Sequence, residues 1–205
     1  MLHWFRPGYS EKMRKSKVTR KTKETKIQIE LNLDGYGTTE IDTGLPFFDH
    51  MLNSFATHGL LDLKIKASGD LEVDDHHLVE DVGITLGEAI KKALLEKENV
   101  SRFGHVIIPH DESLATCAID LGGRSYLVFD CGFSQSEVGG MSTQLVEHFL
   151  LSLVTNANIN INIKVEGKND HHKIEVVFKA LGMAIDRAIQ IDERRKGVPS
   201  TKGSL

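Results

Sequence analysis

Cysteine is scarce in this 205-residue chain, with only Cys117 and Cys131 present. Two thiols cannot build a disulfide framework, and their spacing matches no metal or redox motif, so a reducing compartment is expected. Tryptophan occurs once and proline four times, and no apolar run approaches the roughly 18 residues of a membrane span. The first residues lack the apolar stretch of roughly 7–15 residues that follows the charges of a secretory signal. At 40% hydrophobic and 26% charged, the usage is globular, which excludes collagen-like and disordered classes. The expected setting is cytoplasmic, with no membrane partner.

Histidine is the residue in excess. Its ten copies outnumber proline, tryptophan and tyrosine together, and they point to groups that titrate or bind metals. Charge is uneven as well. Residues 1–26 hold nine Lys/Arg against two Glu, net +7, while the rest holds 16 basic against 27 acidic residues, net −11. The basic stretch carries no nucleic-acid-binding motif, and the acidic body would repel phosphate, so no nucleic-acid partner is expected. Residues 1–19 read as a solvated basic arm.

An internal repeat organises the remainder. Asp75-His76-His77-Leu78-Val79-Glu80 returns 95 positions later as Asp170-His171-His172-Lys173-Ile174-Glu175, with 10 of 19 positions identical over 75–93 against 170–188. Upstream the offset is 98, pairing His50 with His148, Leu52 with Leu150 and Gly69 with Gly167. Alternation in 61–67 and 159–165 predicts a strand in each half, with helices before (47–58, 143–156) and after (76–96, 171–191). Earlier strand pairs are expected at 27–33 with 39–42 and at 114–121 with 126–131. Each half reads strand, strand, helix, strand, helix. The fold class is therefore α+β, an internally duplicated unit of two sheets with helices. The halves span 20–99 and 100–195 and pack as one domain, followed by a tail at 196–205.

The repeated motif has metal chemistry. Asp75 and Asp170 occupy N-cap positions, which puts the His pairs in a first helical turn where the dipole disfavours imidazolium. His76 and Glu80 share a helix face, while His77 points about 100° away. Adding His50 and His148 gives six imidazoles and two carboxylates, or three His and one Glu for each of two ions. Four N/O donors leave open positions on an octahedral ion such as Mn²⁺ or Fe²⁺, unlike a closed thiolate zinc site. Arg102 and Arg124 in loops, Lys179 beyond Glu175, and the Ser200-Thr201-Lys202-Gly203 tail suit an anionic group such as phosphate. His3, His58, His105 and His110 have no repeat partner. A two-metal phosphate-ester hydrolase would use similar ligands, and so would a non-catalytic metal-storage or structural shell.

These segments, in this order, resemble the imidazoleglycerol-phosphate dehydratase family. The carriers are Arg20–Thr25, Asp42–Leu52, Asp74–Gly83, Asp111-Glu112, Gly123-Arg124, Val146–Phe149, Gly167–His172, Phe178–Ala180 and Val198–Gly203. The resemblance implies a lyase of histidine biosynthesis that converts imidazole glycerol phosphate to imidazole acetol phosphate and water through a metal-stabilised imidazolate. It also implies two Mn²⁺ per active site, the fold of GHMP-type kinases, and 24-subunit homo-oligomers with active sites between subunits. By the same resemblance His50, His76, His77, Glu80, His148, His171, His172 and Glu175 are the metal ligands. Arg102, Arg124, Lys179, Ser200 and Lys202 bind the substrate phosphate, and Glu24 is catalytic. Asn162 and the turn Gly122-Gly123-Arg124-Ser125 depart from the common family pattern.

Overall fold

The computed structural model describes residues 14–94 and 99–201. Most of the basic arm and Lys202 lie outside the described residues. The first half runs β1 (Lys15–Lys21), β2 (Thr25–Asn32), β3 (Thr39–Asp42), α1 (Pro46–His58), β4 (Asp62–Gly69) and α2 (His76–Ala93). The second runs β5 (Phe103–His110), β6 (Ser113–Asp120), β7 (Tyr126–Asp130), a small hairpin β8 (Glu137–Val138) with β9 (Met141–Ser142), α3 (Gln144–Ala157), β10 (Asn160–Glu166) and α4 (Asp170–Ile189). The two four-stranded sheets have the same order, β1-β2-β4-β3 and β5-β6-β10-β7.

Two expectations are corrected. Each four-stranded sheet has one more strand than alternation suggested, the second half adds the β8–β9 hairpin, and residues 15–19 belong to β1 rather than to a solvated arm. β1 pairs antiparallel with β2 along its whole length, yet Val18 is its one buried apolar residue, so its sequence reads as polar. The expected pairs 27–33 with 39–42 and 114–121 with 126–131 are also not neighbours. β4 inserts between β2 and β3, and β10 between β6 and β7. β3 and β4 run parallel, so a crossover must join them, and α1 supplies it.

Strand alternation aims one face of each sheet inward. β2 buries Ile27, Ile29 and Leu31 while its intervening residues are exposed, and β10 does the same with Ile161, Ile163 and Val165. Helices cover these inner faces, with α1 and α2 on the first sheet and α3 and α4 on the second. Each helix then packs on a helix of the other half, α2 along α3 and α1 along α4. Glycine permits the close crossings. A Cβ at Gly83 would come 2.9 Å from Phe149 O, and one at Gly87 2.9 Å from Asn156 Cβ. Gly182, the repeat partner of Gly87, abuts the backbone of Phe55 in α1 and of Gly59 at its C-cap. The core that results is continuous across both halves.

Candidate metal centre

Helix pairing across the halves assembles two separate groups of ligand-type side chains. α1 contributes His50 and α4 contributes His171 and Glu175; α2 contributes His76 and Glu80 and α3 contributes His148. In each group the three candidate donor atoms lie within 4.8 Å of one another. Glu175 Oε2 is 3.3 Å from His171 Nε2 and 3.8 Å from His50 Nε2. Glu80 Oε1 is 3.3 Å from His148 Nε2, and the His76 and His148 ring centroids are 4.5 Å apart. His148 Nε2 is buried and has no hydrogen-bond partner, even with that carboxylate beside it. A buried imidazole nitrogen facing a carboxylate without bonding to it suits two donors converging on a cation. Two imidazoles and one carboxylate in each group fit a divalent ion of the Mn²⁺ or Fe²⁺ type.

The N-cap of α2 is Asp75 as expected, although its side chain makes no cap bond, while that of α4 is Asn169, one residue before the expected Asp170. His76 N–H donates to Asp74 Oδ1 at 2.8 Å, and His171 N–H to Asn169 Oδ1 at 2.9 Å. Asp75 and Asp170 turn instead toward the β8–β9 hairpin. Asp75 Oδ2 accepts from Ser142 N at 2.7 Å, while Asp170 Oδ2 accepts from Ser134 N, Ser134 Oγ and Gln135 N. Both motifs thus grip the base of one hairpin. Asp170 is fully buried, and Lys173 Nζ lies 2.5 Å from its other oxygen. Burial alone would raise this carboxyl, but Lys173 and the Ser134 and Gln135 donors hold it at about 2.

His77 and His172 point away from the two groups, as the 100° step requires, and each rests on an acid. His77 Nδ1 is 3.1 Å from Asp70 Oδ2, and His172 Nδ1 is 2.8 Å from Glu112 Oε2. The bond to Asp70 and the nearby charge of Glu24 raise His77 above its ordinary range, and Glu112 does the same for His172. Glu24 is exposed in the β1–β2 turn, whose Thr25 hydroxyl donates to Asp81, while Arg20 Nε donates to Asp81 Oδ1 at 2.7 Å.

The phosphate candidates divide. Lys179 Nζ lies 2.8 Å from Glu175 Oε1 and 3.1 Å from His110 Nδ1, beside the His50–His171–Glu175 group. Arg102, held at φ 69°, donates to Asp120 at 2.7 Å and to Pro199 O at 2.8 Å, which brings Ser200 and the tail to the start of β5. Arg124 is exposed in the β6–β7 turn. From Phe103 to His110, β5 spans roughly 23 Å at the usual strand rise. Sequence reasoning missed His110, whose Nε2 is 3.4 Å from Glu175 Oε2, and the acids Asp70, Asp81 and Glu112. Three of these four lie inside or beside motif segments, but only the fold supplies their partners.

Known proteins give the same reading. The family model for imidazoleglycerol-phosphate dehydratase matches residues 43–185. The imidazoleglycerol-phosphate dehydratase of Methanocella arvoryzae is 55% identical over 193 residues, covering 94% of this chain and all of that protein. The one from Clostridium botulinum is 55% identical over 191 residues, covering 93% of this chain and 97% of its own. Among solved structures, the Pyrococcus furiosus enzyme superposes with a TM-score of 0.79 at 39% identity, covering 92% of this chain and all of that one. The Staphylococcus aureus enzyme gives 0.78 at 36% identity, covering 86% and 98%. The neighbours share the α+β architecture of duplicated sheet–helix units. With a family match over most of its length and relatives aligned end to end, this chain belongs to the imidazoleglycerol-phosphate dehydratase family.

Proposed function

We propose that this chain is the dehydratase of histidine biosynthesis, removing water from imidazole glycerol phosphate to give imidazole acetol phosphate. The observation that carries the reading is the pair of His-His-Glu groups, each built across the two halves, in a chain of this family. His50, His171 and Glu175 would hold one Mn²⁺, and His76, Glu80 and His148 another, with His77 and His172 completing the eight ligands. When bound, such ions supply Lewis acidity that makes an imidazole ring an electron sink. Glu24, exposed on a turn anchored through Arg20 and Thr25 to Asp81, would take the proton next to the ring. Loss of the hydroxyl then gives an enol that tautomerises to the ketone.

The substrate phosphate would meet Arg102, Arg124, Ser200, Lys202 and Lys179. In one chain the Arg102 end of β5 and the Lys179 end are too far apart for one small substrate, and His77 and His172 point out of their groups. Both features favour active sites shared between copies in a homo-oligomer, a 24-subunit shell by resemblance. The sheets differ in the same sense. The outer face of the first carries Lys15, Lys17, Lys64 and Lys66, whereas the second exposes Phe103, Ile107, Leu114, Tyr126 and Val128. An apolar face of that extent suits a protein contact. No helix among the described residues is long and apolar enough to cross a membrane, and with two free thiols a cytoplasmic setting fits.

Turnover of imidazole glycerol phosphate with added Mn²⁺ tests the proposal. Imidazole acetol phosphate is the expected product, and release of inorganic phosphate instead would make the protein a hydrolase. Replacing His76 and His171 together with Ala should abolish metal uptake, and full occupancy in that variant would remove the ligand assignment.

A further inference from the structure

The two outward histidines, His77 and His172, are held by acids that the repeat does not relate. Glu112 lies in the β5–β6 turn, where Oε1 accepts Lys168 N at 3.2 Å, Asn169 N at 2.8 Å and Ser113 Oγ at 3.2 Å. Its Oε2 is 2.8 Å from His172 Nδ1. His172 Nε2 has Asp111 Oδ2 at 3.7 Å, outside hydrogen-bond range. In the first half, Asp70 at the end of β4 takes His77 Nδ1 with both oxygens, at 3.1 and 3.3 Å. At the 98-residue offset the counterpart of Asp70 is Lys168, which offers only its backbone N–H.

Strand register identifies the true counterpart of Glu112. The β1–β2 hairpin pairs Lys21 with Lys26, and the β5–β6 hairpin pairs Pro109 with Leu114, a constant offset of 88. Glu112 therefore occupies the place of Glu24. One copy of the turn glutamate is fixed on a histidine and two backbone amides. The other is exposed, because Asp70 has taken the histidine it would hold.

We infer that Asp70 and Glu112 are positioning residues, each accepting Nδ1–H of its histidine so that the Nε2 lone pair is directed outward to a metal, and that Asp70 thereby releases Glu24 from this task. A ligating histidine needs one nitrogen bare, and the hydrogen bond at the other selects that tautomer. The inference rests on the reading of His77 and His172 as ligands.

Two isosteric variants of the full-length protein separate this role from simple packing. In Glu112→Gln the amide oxygen stays with the Lys168 and Asn169 amides, which turns the NH₂ toward His172 Nδ1. His172 must then accept at Nδ1 and carry its proton on Nε2. Asp70→Asn has no backbone amide fixing it and can rotate its oxygen to His77. Mn²⁺ titration, read from the paramagnetic resonance of the free ion and paired with circular dichroism, should show Glu112→Gln weakening one of two ions per chain by about 10–100-fold. Asp70→Asn should weaken binding by roughly threefold, well under the usual outer-shell loss. Parent-like affinity in a folded Glu112→Gln protein, or equal losses in both variants, would overturn the inference while leaving the ligand reading intact. Failure of the parent protein to bind two ions would overturn both.

Discussion

Arg20 donates Nε to Asp81 Oδ1 at 2.7 Å, and the other oxygen of the same carboxylate receives the Thr25 hydroxyl. The two donors flank the turn that presents Glu24, and Asp81 directly follows Glu80, of the candidate His76–Glu80–His148 group, in α2. One helix turn therefore registers the turn glutamate against a candidate ligand group. At the repeat offset of 95 the second half has Val176, so this anchor is private to the first half.

Asp81→Ala should cost about 2 kcal/mol, since it removes the charge-assisted bonds from Arg20 and from the buried Thr25 hydroxyl, which keeps only Thr22 Oγ1. Urea unfolding checks the stability, and kcat should fall as the turn loosens. Parent-like values of both would show that the anchor is silent.

Glu24→Gln keeps the turn, because Thr22 and Thr25 hold it through their own hydroxyls and amides. Manganese and substrate should bind as before while kcat drops by about 10²–10⁴, the range of a lost general base. Equilibrium binding beside steady-state rates distinguishes this from a folding defect; undiminished kcat would end the role of Glu24.

Gly182→Ala drives a methyl group into Phe55 O at the α1–α4 crossing. Overpacking of this kind costs about 1–3 kcal/mol and pushes His50 away from His171 and Glu175. Thermal unfolding should move down, and Mn²⁺ uptake should weaken at that group more than at the one on α2 and α3.

Asp170 holds the hairpin with its carboxyl lowered to about 2 from a usual 3.8. A carboxyl depressed in the folded state stabilises it above the unfolded value, so this contribution is present above pH 4 and is lost as pH falls toward 2. Lys173→Met leaves that buried carboxylate without its cation and should cost about 3–5 kcal/mol. The double variant with Asp170→Asn should recover part of the loss. Acid and urea titrations of both proteins measure it.

The duplication and the ligand-type residues were legible because identical residues recur at fixed offsets, and β2, β4, β6 and β10 because apolar residues alternate there. β1 escaped because Val18 alone faces the core. The order of strands was hidden, since adjacency in sequence says nothing about β4 entering between β2 and β3. Which histidines would share an ion was hidden too. His50 and His148 are repeat mates, yet each meets the helix of the opposite half. The cap of α4 moved to Asn169, and both Asp75 and Asp170 give their side chains to the hairpin rather than to their own helix ends. His110 sits beside a motif segment, but its partners Glu175 and Lys179 lie more than 60 positions away in sequence.

Because α2 leans on α3 and α1 on α4, the two halves are mutual templates. A chain severed between Leu94 and Asn99 would yield two pieces, each a sheet with two helices whose inner sides are bare. Neither could close its core alone, and the pieces would have to recombine, restoring both histidine groups only on reunion. The duplicated chain therefore cannot be trimmed back to one copy: its histidine–glutamate groups exist only at the seam between the copies.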